Sequence, residues 1–474
     1  MHVVIIGAGL SGLAVAAALL KAGFEVTVIE RDSSVGGLAR SFTRNGYIFD
    51  IGPHIFFGKK ILPKLREYFG GEEILIRNDD LRQGIYIRNK IFKYPFDAKE
   101  ILYKIPKKRL LAVAYETFSR SGRSVNVQDG EGESLETWVK GKIGGTLFDY
   151  IELDTYVRKL YGISAAEISS DWGKHRLKPL ARMTLWELLK RSFNPFAKRG
   201  KRSTFYCSRC IGEIADHLAD FIVRNGGRVL LDTSIEGVDV VNGRVKEIYM
   251  SQEGKDNSIS ADFFVSSMRT SDLIGMITPS PGTAVSAASA ALKYRNLVIL
   301  YLMIKKPKIL DYCLIYFSVR NTIFKRITEF KHFSREMMPE NETTLALEIC
   351  ADSEDEIWNC KNEEIFERAI CQLEELDVIS RERVLEYFVI RVPSVYPVYF
   401  LHYEDHLRVV FQYLQKIKNL VCIGRQGLYQ HDDMPFAIGG GFNVAGFIKS
   451  DKDNLDEVNR VVYEERLHRY DDIV

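Results

Sequence analysis

The sequence predicts an α/β fold with a Rossmann-like dinucleotide-binding domain, and three neighbouring features near the N-terminus predict it. The first is a short apolar run rich in β-branched residues, which is typical of a buried strand. The second is a glycine-rich turn that leads into a helical segment. The third is another apolar run, which ends in an acid. In chain order these segments are His2–Ile6, residues 7–12, residues 13–22, Glu25–Ile29 and Glu30.

Each part of this pattern has a task in binding a dinucleotide. We expect Gly7 to make the tight turn after the strand, Gly9 to let the backbone approach a pyrophosphate, and Gly12 to let the helix pack close to the strand. The N-terminus of the helix offers unpaired N–H groups and the positive end of a dipole to the phosphates. Glu30 can accept hydrogen bonds from the ribose hydroxyls of an adenosine. The pattern therefore indicates dinucleotide binding rather than an ordinary glycine turn.

A second glycine pair lies just beyond the acid. Residues 31–40 read RDSSVGGLAR and contain Gly36, Gly37, Arg31 and Arg40. A domain that binds only a nicotinamide dinucleotide does not need this segment. It resembles the second signature of two-dinucleotide-binding flavoproteins, in which glycines and an arginine close over the FAD pyrophosphate. The resemblance implies FAD as the cofactor, bound non-covalently because the sequence indicates no histidine or cysteine tether.

The resemblance continues through residues 46–54, which read GYIFDIGPH. Similar strands and turns pass along the flavin ring in the flavin amine oxidase superfamily, which includes protoporphyrinogen oxidases, phytoene desaturases and UDP-galactopyranose mutases. The likeness implies that Gly52, Pro53 and His54 lie at the cofactor. We interpret His54 first as a packing and hydrogen-bonding residue. Proton transfer is the alternative, because histidine titrates near neutral pH.

Further segments resemble the UDP-galactopyranose mutases, which make the nearest branch of that superfamily. Residues 51–56 (IGPHIF) resemble the GAHIF turn of these enzymes, and residues 85–96 (IYIRNKIFKYPF) resemble a strand pair that leads to a Pro-Phe. Residues 326–333 (RITEFKHF) resemble an RIIEHKHF strand, and residues 424–434 resemble a GRLAEY…DM stretch. In those enzymes the arginine of the strand lies near the flavin and the substrate diphosphate. The arginine and tyrosine of the last stretch also contact the diphosphate.

The resemblance, carried over residue by residue, implies two sets of site residues. The helix after residue 434 is expected to point its N-terminus at the flavin, since a helix N-terminus stabilises an anion; a merely packed glycine-rich helix is the alternative. Arg326 and Arg425 could instead be ordinary ion-pair partners. The catalytic candidates are His54, Arg326, Arg425 and Tyr429. The cofactor-binding candidates are Gly7, Gly9, Gly12, Glu30, Arg31, Gly36, Gly37, Arg40, Gly52, Pro53, His54, Val238, Gly424, Asp433 and Met434.

Departures from the mutase pattern leave the activity open. Residues 430–432 (QHD) replace a tyrosine-rich run, and residues 207–210 (CSRC) replace a Pro-Gly-Gly turn. Residues 161–172 (YGISAAEISSDW) look more like amine-oxidase-type oxidoreductases with a mutase-like core. One hypothesis is an FAD-dependent oxidoreductase that transfers a hydride from a small-molecule substrate to flavin N5. The alternative is a non-redox mutase that acts on a nucleotide-linked sugar through reduced flavin. A non-enzymatic, FAD-stabilised interaction protein is the third and least favoured hypothesis.

The strand and helix patterns predict a chain that leaves the nucleotide domain and returns to it. An Asn242-Gly243 pair between two apolar strands is a strong hairpin signal and marks one return. The predicted fold is thus a discontinuous FAD domain with a mixed-sheet substrate domain and a helical insertion. The FAD domain comprises residues 1–58, 205–270 and 415–474; the substrate domain comprises 59–204 and 271–414, with the insertion at about 97–204.

Composition excludes several classes of protein. A net charge of +2 over 474 residues does not suggest nucleic-acid binding. The seven cysteines show no disulfide framework, and the chain starts directly on a strand, so we expect a cytoplasmic protein without a signal peptide. Cys207 and Cys210 form a CxxC, but no second pair or nearby histidine pair accompanies it, so no metal site is predicted.

A basic tract over residues 174–202 is the one segment that suggests a surface partner. It contains ten lysines or arginines and a single acid, Glu187, interrupted by leucines and aromatic residues. We favour a solvated helix face. The sharper hypothesis is contact with a membrane surface, because basic and aromatic residues on one helix suit anionic headgroups, and this fits a lipidic substrate.

Overall fold

The computed structural model describes residues 1–96, 100, 103–121, 132–177, 203–450 and 462–463. The chain divides into two compact units. Unit 1 consists of Met1–Asn78, Ser203–Lys293 and Glu404–Val474, and unit 2 consists of Asp79–Arg202 and Tyr294–Tyr403.

The strands of the described residues are, in chain order, β1 (His2–Ile6), β2 (Glu25–Ile29), β3 (Ser41–Arg44), β4 (Tyr47–Asp50), β5 (Leu75–Arg77), β6 (Gln83–Ile87), β7 (Lys90–Tyr94), β8 (Phe205–Cys207), β9 (Arg228–Leu230), β10 (Thr233–Val241), β11 (Arg244–Gln252), β12 (Lys255–Ile259), β13 (Phe263–Ser266), β14 (Ile277–Thr278), β15 (Tyr294–Ile304), β16 (Leu314–Phe317), β17 (Arg326–Glu329), β18 (Thr343–Ala351), β19 (Val384–Pro397) and β20 (Leu420–Cys422).

The α-helices of the same residues are α1 (Leu10–Lys21), α2 (Leu62–Arg66), α3 (Lys107–Ser121), α4 (Leu135–Ile143), α5 (Gly145–Tyr150), α6 (Leu153–Tyr161), α7 (Ser170–Arg176), α8 (Glu213–Arg224), α9 (Thr270–Met276), α10 (Thr283–Ala291), α11 (Glu356–Asn359), α12 (Asn362–Glu375), α13 (Tyr403–Leu414), α14 (Gly424–Gly427) and α15 (Met434–Ser450).

Unit 1 is built on a five-stranded parallel sheet in the order β20-β13-β1-β2-β9. All four residues of β13 are buried, as are four of the five in β1, which explains why these strands read as continuous apolar runs. Helix α15 packs against α1 at very short range, because a Cβ added at Gly441 would lie 2.5 Å from the carbonyl oxygen of Ser11. Glycine there lets the two helices approach backbone to backbone.

Unit 1 also contains a four-stranded sheet in the order β12-β11-β10-β14. Strands β10 and β11 are antiparallel and meet at the predicted hairpin. Asn242 and Gly243 both have left-handed backbones, with φ of 52° and 71°, which the tight two-residue turn requires.

Unit 2 is built on a seven-stranded mixed sheet in the order β19-β15-β18-β17-β16-β6-β7. One face of the sheet packs on α12, whose buried residues follow helical spacing: Ile365, Phe366, Ala369, Ile370 and Leu373. Helices α3 to α7 form the helical insertion of this unit. The predicted α/β class, with a Rossmann-like sheet, a mixed sheet and a helical insertion, is confirmed.

Some details differ from the sequence analysis. The structure places residues 59–78, 203–204, 271–293 and 404–414 in unit 1, whereas the sequence pattern predicted them in the substrate domain. Helices α9, α10, α12 and α13 were not predicted. Of the basic tract, residues 178–202 lie outside the described residues. Among the helices that the structure describes, none combines the length and the apolar character of a bilayer-crossing segment.

Candidate dinucleotide cradle and a buried ionic cluster

The carboxyl ends of the central strands of unit 1 bring several predicted residues to one edge of the sheet. Gly7 follows β1, Glu30 follows β2, Ser267 follows β13, and Gly424 lies just beyond β20. Ligands of open parallel sheets bind at this edge, where the loops leave the strands. We call the loops that carry these residues, together with the N-terminus of α1, the cradle.

The first glycine turn has the geometry that its sequence predicts. Gly7 has a φ of +97°, and a Cβ there would lie 2.3 Å from Ser267 Oγ, so no other residue fits without a shift. A Cβ at Gly12 would lie 2.1 Å from the carbonyl oxygen of Gly7, which explains how α1 packs so close to the strand end. A Cβ at Gly9 would meet no atom within 4 Å. The space beside Gly9 is therefore open, at the N-terminus of a helix that has no side-chain cap.

Glu30 lies beside this turn with its carboxylate held in place. The residue is 8% exposed, and its two oxygens accept hydrogen bonds from the backbone N–H groups of Ala8 (2.8 Å) and Asp32 (3.0 Å). A carboxylate has about four acceptor positions, so capacity remains for further donors such as hydroxyl groups. The two backbone bonds fix the orientation of the acid relative to Gly9.

The second glycine pair packs directly on the first turn. The N–H of Gly36 donates to the carbonyl of Ala8 at 2.8 Å, and a Cβ at Gly37 would lie 3.3 Å from the Cα of Gly9. Both glycines have positive φ, 101° and 56°. Arg40 forms an ion pair with Asp32, so its guanidinium holds the loop. Arg31 also pairs with Asp32, with its Nε 3.9 Å from Oδ1, but its side chain is 70% exposed.

The turn after β4 is tied to the same loop by His54. Gly52 has a φ of 75°, and Pro53 follows it. The Nε2 atom of His54 lies 2.9 Å from the carbonyl oxygen of Leu38 and 3.1 Å from that of Ile51. Because both partners are acceptors, Nε2 carries the proton and donates. The contacts support the positioning interpretation of His54 over the proton-transfer one.

The C-terminal candidates also gather in unit 1. A Cβ at Gly424, whose φ is 71°, would lie 2.6 Å from Ser11 Oγ at the start of α1. Arg425 donates from Nε to the carbonyl oxygen of Asp432 at 3.2 Å and so braces the loop before α15. The carbonyl of Asp433 accepts from the N–H of Phe436 at 3.0 Å in the first turn of that helix. Met434, its first residue, is buried.

Two candidates lie in the packed interior. Tyr429 is fully buried, has a φ of 51°, and donates its hydroxyl hydrogen to the carbonyl oxygen of Lys293 at 2.7 Å. The Tyr429 hydroxyl is thus held in the interior of unit 1, and a role in substrate binding stays a prediction. Val238 is buried in β10, paired with Ile248 and Ile277. Strand β10 reaches the cradle at its start, where the N–H of Thr233 donates to the carbonyl of Glu30 at 2.9 Å.

Sequence reasoning missed a buried carboxylate next to the cradle. Asp50, at the end of β4, is fully buried and accepts hydrogen bonds from the Tyr206 hydroxyl, from Ser41 Oγ (2.6 Å) and from the N–H of Ile211 (3.3 Å). Burial raises the pKa of Asp50 to about 6, although these hydrogen bonds oppose the rise. The group joins the β3–β4 hairpin to the segment after β8.

Neither cysteine of the CxxC is activated. Burial raises the pKa of the Cys207 thiol well above its usual value, and burial also raises the pKa of Cys210. Within the described part of the chain, no group of three or more histidines, cysteines or acids could hold a metal ion.

Arg326 lies in unit 2, in a buried ionic cluster. Its NH2 group is 2.5 Å from Glu348 Oε1, and Lys325 Nζ is 3.0 Å from Glu348 Oε2. Burial would raise the pKa of Glu348, but the two cations outweigh it and lower that pKa to about 2. Lys325 also donates to the Tyr396 hydroxyl at 3.0 Å, and the Arg326 guanidinium lies over the Tyr316 ring at 5.6 Å. A buried lysine and a largely buried arginine thus share one carboxylate.

A third basic side chain, which the sequence pattern did not predict, lies in the same unit. Lys159 on α6 donates to Thr322 Oγ1 and to the carbonyl oxygen of Phe324 at 3.1 Å. Both partners are neutral, and burial lowers the pKa of Lys159 to about 7. The segment 322–324 leads directly into Lys325 and Arg326. No spacing rule could have found this residue, because it lies 163 positions from Thr322.

Residues 10–386 match the sequence model of a known family, the flavin containing amine oxidoreductases. The chain belongs to this family. Among curated relatives, a 4,4'-diapophytoene desaturase (4,4'-diapolycopene-forming) of Methylomonas sp is 21% identical over 287 residues, which is 55% of this chain and 54% of the relative. Coproporphyrinogen III oxidase of Bacillus subtilis is 32% identical over 135 residues, or 27% and 28% of the two chains. The chain thus spans about half the length of the first relative and less of the second.

Solved structures share the fold over nearly the whole chain. A reduced UDP-galactopyranose mutase aligns with a TM-score of 0.77 and 18% identity, covering 97% of each chain. A putrescine oxidase bound to putrescine aligns with a TM-score of 0.62 and 15% identity, covering 95% of this chain and 99% of the oxidase. At these identities the likeness establishes the fold alone.

Proposed function

We propose that the protein is an FAD-dependent oxidoreductase that binds FAD non-covalently in the cradle of unit 1. The observation that carries the proposal is the open space beside Gly9, bounded by two glycine turns, an uncapped helix N-terminus and the fixed carboxylate of Glu30. A pyrophosphate suits the helix N-terminus, and a ribose suits the acid. Membership of a flavin-containing family supports the choice of FAD.

The chain's own residues would bind and orient the cofactor. Glu30 would accept the ribose hydroxyls, and the first N–H groups of α1 would meet the phosphates. Arg40 and His54 would act on the loops rather than on the cofactor, because each is already engaged within unit 1. The N-terminus of α15 would place a positive dipole end toward negative charge on the cofactor. Bound flavin would supply the capacity to accept a hydride from the substrate.

The substrate of this reaction is the next part of the proposal. The two cations Lys325 and Arg326 contact one buried acid, Glu348, so this cluster in unit 2 has more positive than negative charge. Excess buried charge is costly unless a ligand compensates it. This observation favours a substrate with an anionic group, and it keeps the nucleotide-sugar mutase as the second candidate.

Arg326→Lys tests the anionic-substrate idea. If Arg326 binds a phosphate or carboxylate in bidentate fashion, lysine cannot reproduce the contact, and substrate affinity should fall about five- to a hundredfold. If the guanidinium serves only Glu348, the melting temperature should change and affinity should not. Measuring both quantities separates the roles. Full affinity in the variant would remove Arg326 from the substrate site.

Anaerobic reduction of the bound flavin across candidate substrates tests the oxidoreductase proposal itself. A true substrate should bleach the oxidised flavin absorbance without added reductant. Nucleotide sugars should be screened in parallel by thermal shift, since a ligand that binds only the native state stabilises it. Stabilisation by a nucleotide sugar without flavin reduction would replace the oxidoreductase with the mutase.

A further inference from the structure

The most exposed large apolar side chains of the described residues lie within 13 consecutive residues of the chain in unit 2. Tyr103 is 89% exposed, Leu111 is 72% exposed and Tyr115 is 75% exposed. Single exposed apolar residues are normal on a protein surface, but a group of them marks an interaction site. Leu111 and Tyr115 lie on α3, and Tyr103 lies just before it.

The same side of α3 carries basic residues. Lys107, Leu111 and Tyr115 are spaced four residues apart, so they form one row along the helix. Lys108 is three residues before Leu111 and lies beside that row. Both lysines are exposed. We call Tyr103, Lys107, Lys108, Leu111 and Tyr115 the α3 surface.

The acids of this region point elsewhere. Glu116, the single acid in the α3 sequence, accepts from the hydroxyl of Thr146 at 2.6 Å and from its N–H at 3.2 Å, which caps α5. Glu100 accepts from the N–H of Lys93 at 2.9 Å and from the amine of Lys104. These bonds fix α3 with its acid toward the unit. Among its described side chains, the α3 surface therefore presents cations and apolar groups only.

We propose that the α3 surface docks on an anionic lipid bilayer. A helix of 15 residues is about 22 Å long and can lie in the plane of the headgroups. Leucine and tyrosine side chains would enter the interfacial layer, and the two lysines would meet lipid phosphates and carboxylates. Charge complementarity favours an anionic bilayer over a second copy of the chain, because two copies of this cationic face would repel each other.

The test is flotation of the full-length protein with vesicles at low and at physiological salt. We expect binding to phosphatidylcholine vesicles that contain about a quarter phosphatidylserine, and little binding to pure phosphatidylcholine. Lys107→Gln/Lys108→Gln should weaken binding about thirtyfold, since each lysine near an anionic surface contributes roughly a fivefold factor. Leu111→Ser/Tyr115→Ser should weaken it at least about tenfold. Added salt should weaken the wild type more than the lysine variant.

The matched control is Lys246→Gln/Tyr249→Ser, which removes an exposed lysine and tyrosine from β11 in unit 1. It should bind vesicles like the wild type, and all variants should keep the wild-type melting temperature because the altered side chains are exposed. Wild-type binding by both α3 variants would overturn the proposal, since the vesicle contact would then lie elsewhere. Equal binding of the wild type to neutral and anionic vesicles would also overturn it. Loss of self-association without loss of vesicle binding in Leu111→Ser/Tyr115→Ser would reassign the surface to a contact between copies.

Discussion

Asp50 in unit 1 and Glu348 in unit 2 are both fully buried carboxylates, yet their proton affinities move in opposite directions. Burial raises the pKa of Asp50 to about 6, and its hydrogen-bond donors are the neutral groups of Ser41, Tyr206 and Ile211. Burial also acts against the charge of Glu348, but Arg326 and Lys325 lower its pKa to about 2.

The difference lies in the charge of the neighbours, since both acids have lost their water. Neutral donors only partly offset the rise in pKa that burial causes in a carboxylate, whereas two cations more than offset it. Asp50 is thus suited to hold a hairpin beside the cradle and to be partly protonated in weak acid. Glu348 is suited to remain an anion that organises two cations.

The largest expected effect comes from removing the anion of unit 2. Glu348→Gln leaves Lys325 and Arg326 buried without a counter-ion, and breaking such a pair costs about 3–5 kcal/mol of unfolding free energy. All four tryptophans fall within the residue ranges of unit 2, so urea unfolding followed by tryptophan fluorescence reports on this unit.

Glu367→Gln is the control for that experiment, since it breaks an exposed pair with Arg381 in the same unit. It should leave the unfolding midpoint almost unchanged. A similar midpoint for the two variants would mean that the buried cluster is not an energetic unit, and the contrast with Asp50 would lose its basis.

The next largest expected effect is the change in the free energy of unfolding with pH that Asp50 causes. The folded pKa of Asp50, about 6, lies above its ordinary value of 3.8, so the folded state holds the proton more tightly. The stability gained from that proton is fully present below about pH 4 and is lost as pH rises through 6. A shift of this size corresponds to about 3 kcal/mol. Wild type should therefore lose about 3 kcal/mol relative to Asp50→Asn between pH 4 and pH 7.

Melting curves of both proteins across that range measure the difference. The contribution of Glu348 to stability has the opposite pH dependence. It is present above the ordinary pKa of 4.5 and is lost as pH falls toward 2. A constant difference between wild type and Asp50→Asn would show that Asp50 titrates normally, and the two acids would then no longer contrast.

The smallest expected effect is on stability, from a change at Tyr429, which lies in the core of unit 1 rather than in the cradle. Tyr429→Phe removes one neutral hydrogen bond, to the carbonyl of Lys293, and should cost about 1 kcal/mol of stability. FAD affinity and turnover should stay at wild-type levels. A large fall in turnover at unchanged stability would instead support the prediction that Tyr429 is catalytic.

The turns of the structure could be predicted from sequence because their geometry depends on a few consecutive residues. Gly7, Gly12 and the Asn242-Gly243 turn are dictated by backbone sterics, and each has the expected geometry. The partners of the site residues could not be predicted in this way. Arg425 was expected at a diphosphate but braces the carbonyl of Asp432, and the hydrogen bond between Asp50 and Tyr206 joins residues 156 positions apart. A resemblance supplies residue types and their order, whereas the partners depend on the packed fold.

The central claim is that the cradle holds FAD non-covalently, and the most direct test is FAD binding by wild type and Glu30→Ala. The wild type, purified or reconstituted, should show oxidised flavin absorbance and release FAD on acid precipitation. Glu30→Ala should raise the dissociation constant about tenfold to a hundredfold, since charge-assisted hydrogen bonds contribute roughly 1.5–3 kcal/mol each. Glu25→Ala, at the exposed start of the same strand, should bind like the wild type. Absence of flavin bands after reconstitution, or equal FAD affinity in Glu30→Ala and Glu25→Ala, would contradict the account.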